Sequence, residues 1–396
     1  MATWKKCTIG ELGQIITGKT PSTKNEAFWG GDVSFVTPKD IQQTKHIFKT
    51  ERYITLNGLN AVRNIKLPPK AICVSCIGNI GYVGMTTQEC ISNQQINSII
   101  VNDENDPDYV YYLIKGLWAY FKNYEGQSTT LSILNKTQFS QIEVSVPGIH
   151  EQRKIARVLS ALDDKIEVNQ KINDNLEQQA QAYFQKLFID NKGPQWKKGT
   201  ISDLGEVVGG GTPSKKKTEY YCDNGIAWIT PKDLSLTKAK FISHGETDIS
   251  LSGFENSSVK LLPEGTVLFS SRAPIGYIAI AANEVTTNQG FKSVIPKRNI
   301  GTAFVYYFLK SNLPVIEGMA SGSTFKEVSG NIMKQVPVNI PDQNTLNKFN
   351  KFCKPLLIQQ KILEKQNHEL AILRDSLIPK LISENMDFNE VTSLSC

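Results

Sequence analysis

Phosphate chemistry on a nucleotide calls for a glycine-rich turn that opens a helix, and Gly13-Gln14-Ile15-Ile16-Thr17-Gly18-Lys19-Thr20 spells that pattern. The loop works only if a helix starts at its Lys-Thr, so that backbone amides and the helix end hold the phosphates. Pro21 follows at once, and Ser22, Thr23, Lys24 and Asn25 do not read as helix, so the segment is a turn. Cys73-Val74-Ser75-Cys76 has metal-ligand spacing, but no second pair or spaced histidines accompany it, and a strand with two small residues is the simpler reading. Asp163-Asp164-Lys165 would suit a metal-dependent nuclease, yet it falls in a heptad run where a charged outer face is expected. His46, His150, His244 and His368 have no visible acid or nucleophile partner, and Leu67-Pro68-Pro69-Lys70 lacks the amide and the aromatic of a methyltransferase tetrapeptide. No catalytic constellation and no metal-ligand set is assigned.

What remains is polar, glycine-rich and basic. Lys19, Thr20, Lys24 and Lys39, and later Lys215, Lys216, Lys217 and Lys232, stand in turn-like segments beside Thr, Ser and Asn. Loop lysines and hydroxyls hold phosphates, while Asn, Gln and Arg can read base edges in the major groove of DNA. Asn79, Asn93 and Gln94, then Arg272, Asn288 and Gln289, are the candidate base readers. The formal net charge of +6 permits a nucleic-acid partner without requiring one.

These residues recur because the chain is duplicated. Gly18-Lys19-Thr20-Pro21-Ser22 answers to Gly210-Gly211-Thr212-Pro213-Ser214, and Thr37-Pro38-Lys39-Asp40 to Thr230-Pro231-Lys232-Asp233. Ile80-Gly81-Tyr82 matches Ile275-Gly276-Tyr277, and Asn93-Gln94 matches Asn288-Gln289, both at an offset of 195. Tyr111-Tyr112-Leu113 pairs with Tyr306-Tyr307-Phe308, and Ser128-Thr129-Thr130-Leu131 with Gly322-Ser323-Thr324-Phe325. Offsets that drift so little mean an internal repeat. Residues 42 to 70 and 235 to 265 share almost nothing, as expected of two sites of one kind with different specificity.

The elements that must position these turns follow from the hydrophobic pattern. Short β-branched runs such as Val33 to Val36, Ile72 to Val74 and Ile96 to Val101 alternate with Gly, Pro and Asn turns, which predicts mixed α/β halves rich in strand. A helix is expected at about Asp108 to Asn123, with its match near Thr302 to Lys310. Ile155, Leu162, Asn169, Leu176 and Tyr183 fall seven apart, and Phe349, Leu356, Leu363, Leu370 and Leu377 keep the same spacing 194 residues later. Such narrow seams predict two long helices, Ile155 to Leu187 and Phe349 to Leu381, that bury against each other as an antiparallel coiled coil. About forty residues at ~1.5 Å each would make a rod of roughly 60 Å, with the globular halves carried at its opposite ends. Asn169 on the seam, with Gln359 and Gln366 near the second one, should cost stability and fix register. Pro355 should bend the second helix near its start, and Asn191-Lys192-Gly193-Pro194 should end the first.

With 396 residues, each half can bury its own core. No apolar run approaches the ~18 residues that span a bilayer, and Met-Ala-Thr-Trp-Lys-Lys lacks an apolar signal core, so a cytoplasmic location is expected. Seven cysteines, scattered at 7, 73, 76, 90, 222, 353 and 396, fit reduced thiols better than a disulfide framework.

The doubled series of motifs resembles the specificity subunits of type I restriction-modification systems along nearly the whole chain. The resemblance rests on the tandem anchors, on Val144-Ser145-Val146-Pro147, Glu151-Gln152-Arg153-Lys154-Ile155-Ala156 and Leu162-Asp163 in the first half, and on Leu373-Arg374-Asp375-Ser376-Leu377-Ile378-Pro379-Lys380-Leu381 in the second. Gln343 to Phe349 departs from the family's Glu-Gln-x-Lys-Ile element. It implies an α/β (α+β) fold: two target-recognition domains at 1–148 and 191–342, spacer helices at 149–190 and 343–385, and a tail at 386–396. It further implies a non-catalytic subunit that reads a bipartite, asymmetric double-stranded DNA site. Two modification subunits would dock mainly on the helices, around Ile155, Leu162, Asn169, Leu176, Phe349, Leu356, Leu363 and Leu370, with restriction subunits joining through them. S-adenosylmethionine, ATP and Mg would then belong to those partners, and this chain would bind no cofactor. The rival readings are a self-sufficient methyltransferase or nuclease with an atypical site, and a coiled-coil adaptor that binds no DNA.

Overall fold

The computed structural model describes residues 4–41, 44–126, 132–191, 193, 196–237, 239–322 and 326–383. Ser128-Thr129-Thr130-Leu131, Ser323-Thr324-Phe325, Lys192, Pro194 and the tail at 386–396 lie outside the described residues. The chain forms two compact units, Met1–Val168 with Asn367–Cys396, and Asn169–Gln366.

In unit 1 the strands are β1 (Trp4–Thr8), β2 (Gly13–Thr17), β3 (Trp29–Val36), β4 (His46–Ile47), β5 (Arg52–Ile54), β6 (Ile72–Ser75), β7 (Val83–Thr86), β8 (Cys90–Ser92), β9 (Ile96–Val101) and β10 (Glu143–Pro147). They make a five-stranded sheet ordered β2-β9-β6-β7-β4, a three-stranded sheet β5-β3-β8 and the pair β1-β10. The five-stranded sheet is antiparallel except where β4 runs parallel to β7. All four residues of β6 are buried, so this central strand reads as a continuous small and apolar run without alternation.

Unit 2 repeats the topology with β11 (Lys197–Thr200), β12 (Gly205–Gly209), β13 (Tyr221–Cys222), β14 (Ile226–Ile229), β15 (Phe241–Ile242), β16 (Thr247–Ile249), β17 (Val267–Ser271), β18 (Ile275–Ala281), β19 (Thr286–Thr287), β20 (Lys292–Pro296) and β21 (Pro337–Ile340). The order β12-β20-β17-β18-β15 matches the first five-stranded sheet, again with one parallel edge, and β11-β21 matches β1-β10. The smaller sheet gains one strand and runs β13-β16-β14-β19.

Each large sheet packs on a short aromatic helix. In unit 1 that helix is Pro107–Gly116, started by Asp106, whose carboxylate accepts from Tyr109 N at 3.0 Å, and by proline in its first turn. The single helix expected to reach Asn123 is two, because Leu117 leaves helical geometry and a second helix starts at Trp118. Gly116, at the break, lets the second long helix come close: a Cβ there would lie 3.2 Å from Ile378 Cγ2. In unit 2 the match is Thr302–Ser311, with Ala303 to Leu309 buried.

The two long helices span Ile149–Phe184, continued as a π-helical turn over Gln185–Asp190, and Gln343–Leu381, which runs through Pro355. Within each unit they pair antiparallel. In unit 1, Ile155 and Leu159 from the start of the first share a core with Ile378 and Leu381 from the end of the second. In unit 2, Ala180, Phe184 and Phe188 from the end of the first pack with Leu346, Phe349 and Cys353 from the start of the second. On the seam Ile155, Asn169, Phe349 and Leu363 are buried, and Leu162, Leu176, Leu356 and Leu370 are half-buried. Asn169 is fully buried and donates to Gln366 Oε1 at 3.5 Å. Gln360 rather than Gln359 is the buried glutamine, donating to Asn173 O at 3.3 Å.

Candidate nucleic-acid interface

The three repeated turns meet at one end of the sheets in each unit. In unit 1, Gly18 N donates to Ile96 O and Lys19 N to Ser92 O, which brings the Gly-Lys-Thr-Pro turn against the loop after β8. Gly18 must be glycine, since a Cβ would lie 2.1 Å from Asn93 O. Thr20 Oγ1 then donates to Gln94 Oε1 at 2.5 Å. Asn93 N donates to Val36 O, tying in the turn that follows β3. That Thr-Pro-Lys-Asp turn is closed by Asp40, whose Oδ2 accepts from Thr37 N and Thr37 Oγ1 at 2.7 Å each. Gly13 to Thr17 is strand and no helix opens at Lys19, which removes the nucleotide-loop reading on geometry.

Asn93 shapes its turn: its Oδ1 accepts from Gln95 N at 3.1 Å and the side chain is buried, whereas Gln94 stands exposed at the tip. Asn79 is exposed on the loop between β6 and β7, whose Asn79 O accepts from Ser75 Oγ at 2.7 Å. Lys19, Lys24 and Lys39 are exposed, and Lys39 lies 3.5 Å from Glu51.

Unit 2 reproduces this frame with other side chains. Gly211 N donates to Thr287 O and Asn288 N to Ile229 O. Gly210 leaves no room for a Cβ, which would lie 1.9 Å from Asn288 O. Asn288 Oδ1 accepts from Gly290 N at 2.8 Å, and Gln289 is exposed. Asp233 Oδ2 accepts from Thr230 N and Oγ1 at 2.7 and 2.6 Å, and its Oδ1 takes Glu246 N at 2.8 Å as Asp40 takes Glu51 N. Lys215, Lys232, Arg272, Asn288 and Gln289 line one cleft of about 480 Å³, together with Trp228, Thr212 and Glu246. Lys216 and Lys217 are exposed but do not line it. Lys217 turns back to donate to Tyr220 Oη at 2.8 Å, which holds its ammonium above the ordinary lysine value. Lys232 is held up likewise by its bond to Glu246 at 2.5 Å. Arg272 lies 3.8 Å from Glu327, which also approaches Lys292 at 3.6 Å. Arg272 has no basic counterpart in unit 1, where Ile77 stands at the equivalent place.

Sequence reasoning missed the groups that fasten each sheet to the long helices. Lys45 is buried and donates to Asp108 Oδ1 at 2.5 Å and Ser160 Oγ at 2.7 Å. Lys240, its counterpart 195 residues on, is buried against Glu177, Gln360 and Tyr307. Burial alone would raise the Glu177 carboxyl, but Lys240, Lys310 and the Tyr307 hydroxyl outweigh it and pull it to about 2. Asp163 is not on a charged outer face: it is buried between Arg374 and Tyr112, whose hydroxyl donates to it at 2.6 Å. Asp164 and Lys165 are exposed as expected. Two histidines do have acidic partners, His46 with Glu167 at 2.9 Å and His244 with Asp248 at 3.4 Å. The only advance signal for the lysines was their shared offset, in a stretch where the halves otherwise differ. Cys73 and Cys76 are buried free thiols, with burial pushing Cys73 up to about 12 and Cys76 to about 11.

Comparison with known proteins agrees with the doubled frame. The Methanocaldococcus jannaschii type I restriction enzyme MjaIX specificity subunit is 38% identical over 196 residues, 47% of this chain and 45% of that protein. The Haemophilus influenzae HindI specificity subunit is 38% identical over 147 residues, 37% of this chain and 32% of that protein. The Escherichia coli EcoR124I/EcoR124II specificity subunit is 30% identical over 216 residues, 51% of each. The chain thus spans about half the length, or less, of these curated relatives. In fold it is similar to the crystal structure of the type I restriction-modification S subunit from M. genitalium, with a TM-score of 0.59 over 97% of both chains at 16% identity. The family model for the type I restriction modification DNA specificity domain matches twice, at residues 1–178 and 194–371, once on each half of the repeat, and the chain belongs to that family.

Proposed function

We propose that this chain recognises a bipartite, asymmetric double-stranded DNA site as the specificity subunit of a type I restriction-modification complex, and that it performs no catalysis itself. The observation that carries the reading is one frame used twice with different side chains: the same three turns converge in both units, but Arg272 and the cleft around it stand opposite Ile77 and Asn79. Two such readers account for a split site whose halves differ.

In this reading residues 1–148 and 191–342 are the target-recognition domains, and 149–190 and 343–385 the spacer helices that set the unread interval. Lys19, Thr20, Lys24, Lys39, Lys215, Lys216, Lys217 and Lys232 hold phosphates. Gln94, Gln289, Asn79 and Arg272 read base edges, with Asn93 and Asn288 shaping the turns beside them. Two modification subunits dock on the long helices, and restriction subunits join through them. S-adenosylmethionine, ATP and Mg sit on those partners, and the complex methylates adenine and cleaves unmodified DNA in the cytoplasm. Ile358, Ile362, Ile372 and Leu373 are apolar yet exposed on the second long helix, which supports docking there. No helix among the described residues is long and apolar enough to cross a membrane.

Methylome sequencing of a host carrying the intact system should return one bipartite motif, and transplanting residues 191–342 from a relative should change one half of it. The isolated chain incubated with S-adenosylmethionine should transfer no methyl group to DNA. Transfer by the isolated chain, or a motif unchanged by the transplant, would overturn the proposal.

A further inference from the structure

Unit 1 contains a cluster of side chains outside the turns proposed to meet DNA. His46 lies on β4, the edge of the five-stranded sheet, and its backbone N donates to Glu167 Oε1 at 2.9 Å. Its ring Nδ1 faces the same carboxylate, 2.9 Å from Oε2 and 3.1 Å from Oε1. Asp164 sits three residues earlier on the first long helix, so that it shares a face with Glu167. One ligand atom from each of the three residues lies within 4.8 Å of the other two. Glu167 is buried, His46 half-buried and Asp164 exposed, which gives the cluster a dry wall and an open side.

Docking of the strand does not call for this cluster. In unit 2, Phe241 occupies the place of His46, since His46 pairs with Met85 and Phe241 with Ile280, 195 residues on in both cases. Phe241 N donates to Glu364 Oε2 at 2.8 Å, the same strand-to-helix bond with no imidazole in it. Nor does either carboxylate meet a lysine or arginine: among the described residues Glu167 has only His46 as an ion-pair partner and Asp164 has none.

With the proton lost from Nδ1, a cation can take its place between the imidazole nitrogen and the two carboxylates, and the donor set selects its kind. One nitrogen and two oxygens with an open fourth position suit zinc and its neighbours, whereas Mg and Ca favour oxygen alone. Donor atoms held at ~2.0–2.2 Å in a tetrahedron stand roughly 3.3–3.6 Å apart, so the His46 to Glu167 contact of 2.9 Å must open by a few tenths of an ångström and the exposed Asp164, now within 4.8 Å, must move inward to join them. We propose that His46, Asp164 and Glu167 form a site for a divalent transition metal of the zinc type, which fastens the edge of the first sheet to the first long helix. It is confined to unit 1 and does not depend on DNA recognition.

The test uses the untagged full-length chain, stripped with chelator and titrated with Zn²⁺, and separately with Co²⁺, in buffer containing excess Mg²⁺. One equivalent of Zn²⁺ should bind and shift thermal unfolding upward, and Co²⁺ should show weak nitrogen and oxygen-type absorption without thiolate bands. His46→Phe, which copies the residue of unit 2, should keep the fold by circular dichroism and abolish binding. Asp164→Asn, at an exposed position, should weaken binding by no less than the roughly tenfold that loss of an outer-shell partner costs. Absence of stoichiometric binding, binding unchanged in both variants, saturation by Mg²⁺ alone, or intense thiolate bands from Co²⁺ would each overturn the proposal.

Discussion

Arg272 has its guanidinium 3.8 Å from Glu327 on the rim of the unit 2 cleft, an exposed pair that water and salt weaken and that a base edge can replace. A guanidinium pairs best with the O6 and N7 of guanine, at a discrimination of about 1–3 kcal/mol. Arg272→Ala should therefore relax specificity at one position of one half-site, roughly tenfold or more by competition binding, and leave the other half-site as selective as before. Glu177 belongs to a tighter regime, half-buried and tied to Lys240, Lys310 and Tyr307. Its folded carboxyl at about 2 lies below the unfolded value of ~4.3, so the stabilisation is full above about pH 5 and disappears as pH falls toward 2. A lowering of that size corresponds to about 3 kcal/mol. Glu177→Gln should cost about that much at pH 7 and much less near pH 3, read from denaturant midpoints at the two values; an equal cost at both would contradict the assignment.

The long helices are held by apolar packing at their ends and by amides and charges between. Ile155, Leu159, Ile378 and Leu381 close one stretch, and Phe184, Phe188 and Phe349 the other. Between them Asn169 donates to Gln366 and Asn173 to Glu364, bonds whose net worth is about 1 kcal/mol each against the desolvation of the groups that make them. Asn169→Leu should therefore raise the thermal midpoint while loosening register or oligomer choice, which calorimetry and sedimentation would read; a lower midpoint would remove Asn169 from the seam. Asp163 and Arg374 form a different joint. Removing one partner leaves the other charged and buried, so Arg374→Met should destabilise unit 1 by about 3–5 kcal/mol, while the double change with Asp163→Leu should recover most of it.

At the scale of the whole molecule, the proposed function would let two modest readers in one chain gain from each other, because binding one half-site would raise the effective concentration of the second. That gain depends on phase, since one added base pair turns a half-site by about 34° on a helix of ~10.5 base pairs per turn. Lengthening the unread spacer of the target by one base pair should weaken binding by the specificity complex far more than a base change within the spacer. Phosphate contacts by loop lysines should also make binding fall steeply with salt, and Lys215→Ala should lower the slope of log K against log salt by about 1. A salt-independent affinity would favour an adaptor that binds no DNA.

The amino-acid sequence by itself determined the duplication, the mixed α/β halves, the two long helices and the turn motifs, because each is written in local spacing. Heptads, β-branched runs and Gly-x-Thr-Pro or Thr-Pro-Lys-Asp turns are set by neighbours within about ten residues, and Gly18 and Gly210 recur because the same carbonyl fills the space of a Cβ in both halves. Only the tertiary structure decided which charged residues go inside. Asp163 read as part of a solvated face until Tyr112 and Arg374 closed over it, and Lys45 and Lys240 drew no notice until a helix carboxylate or hydroxyl met them. His46 looked alone because Glu167 lies 121 residues away in sequence. Burying a charge depends on a partner supplied by a distant segment, and no local pattern encodes that encounter.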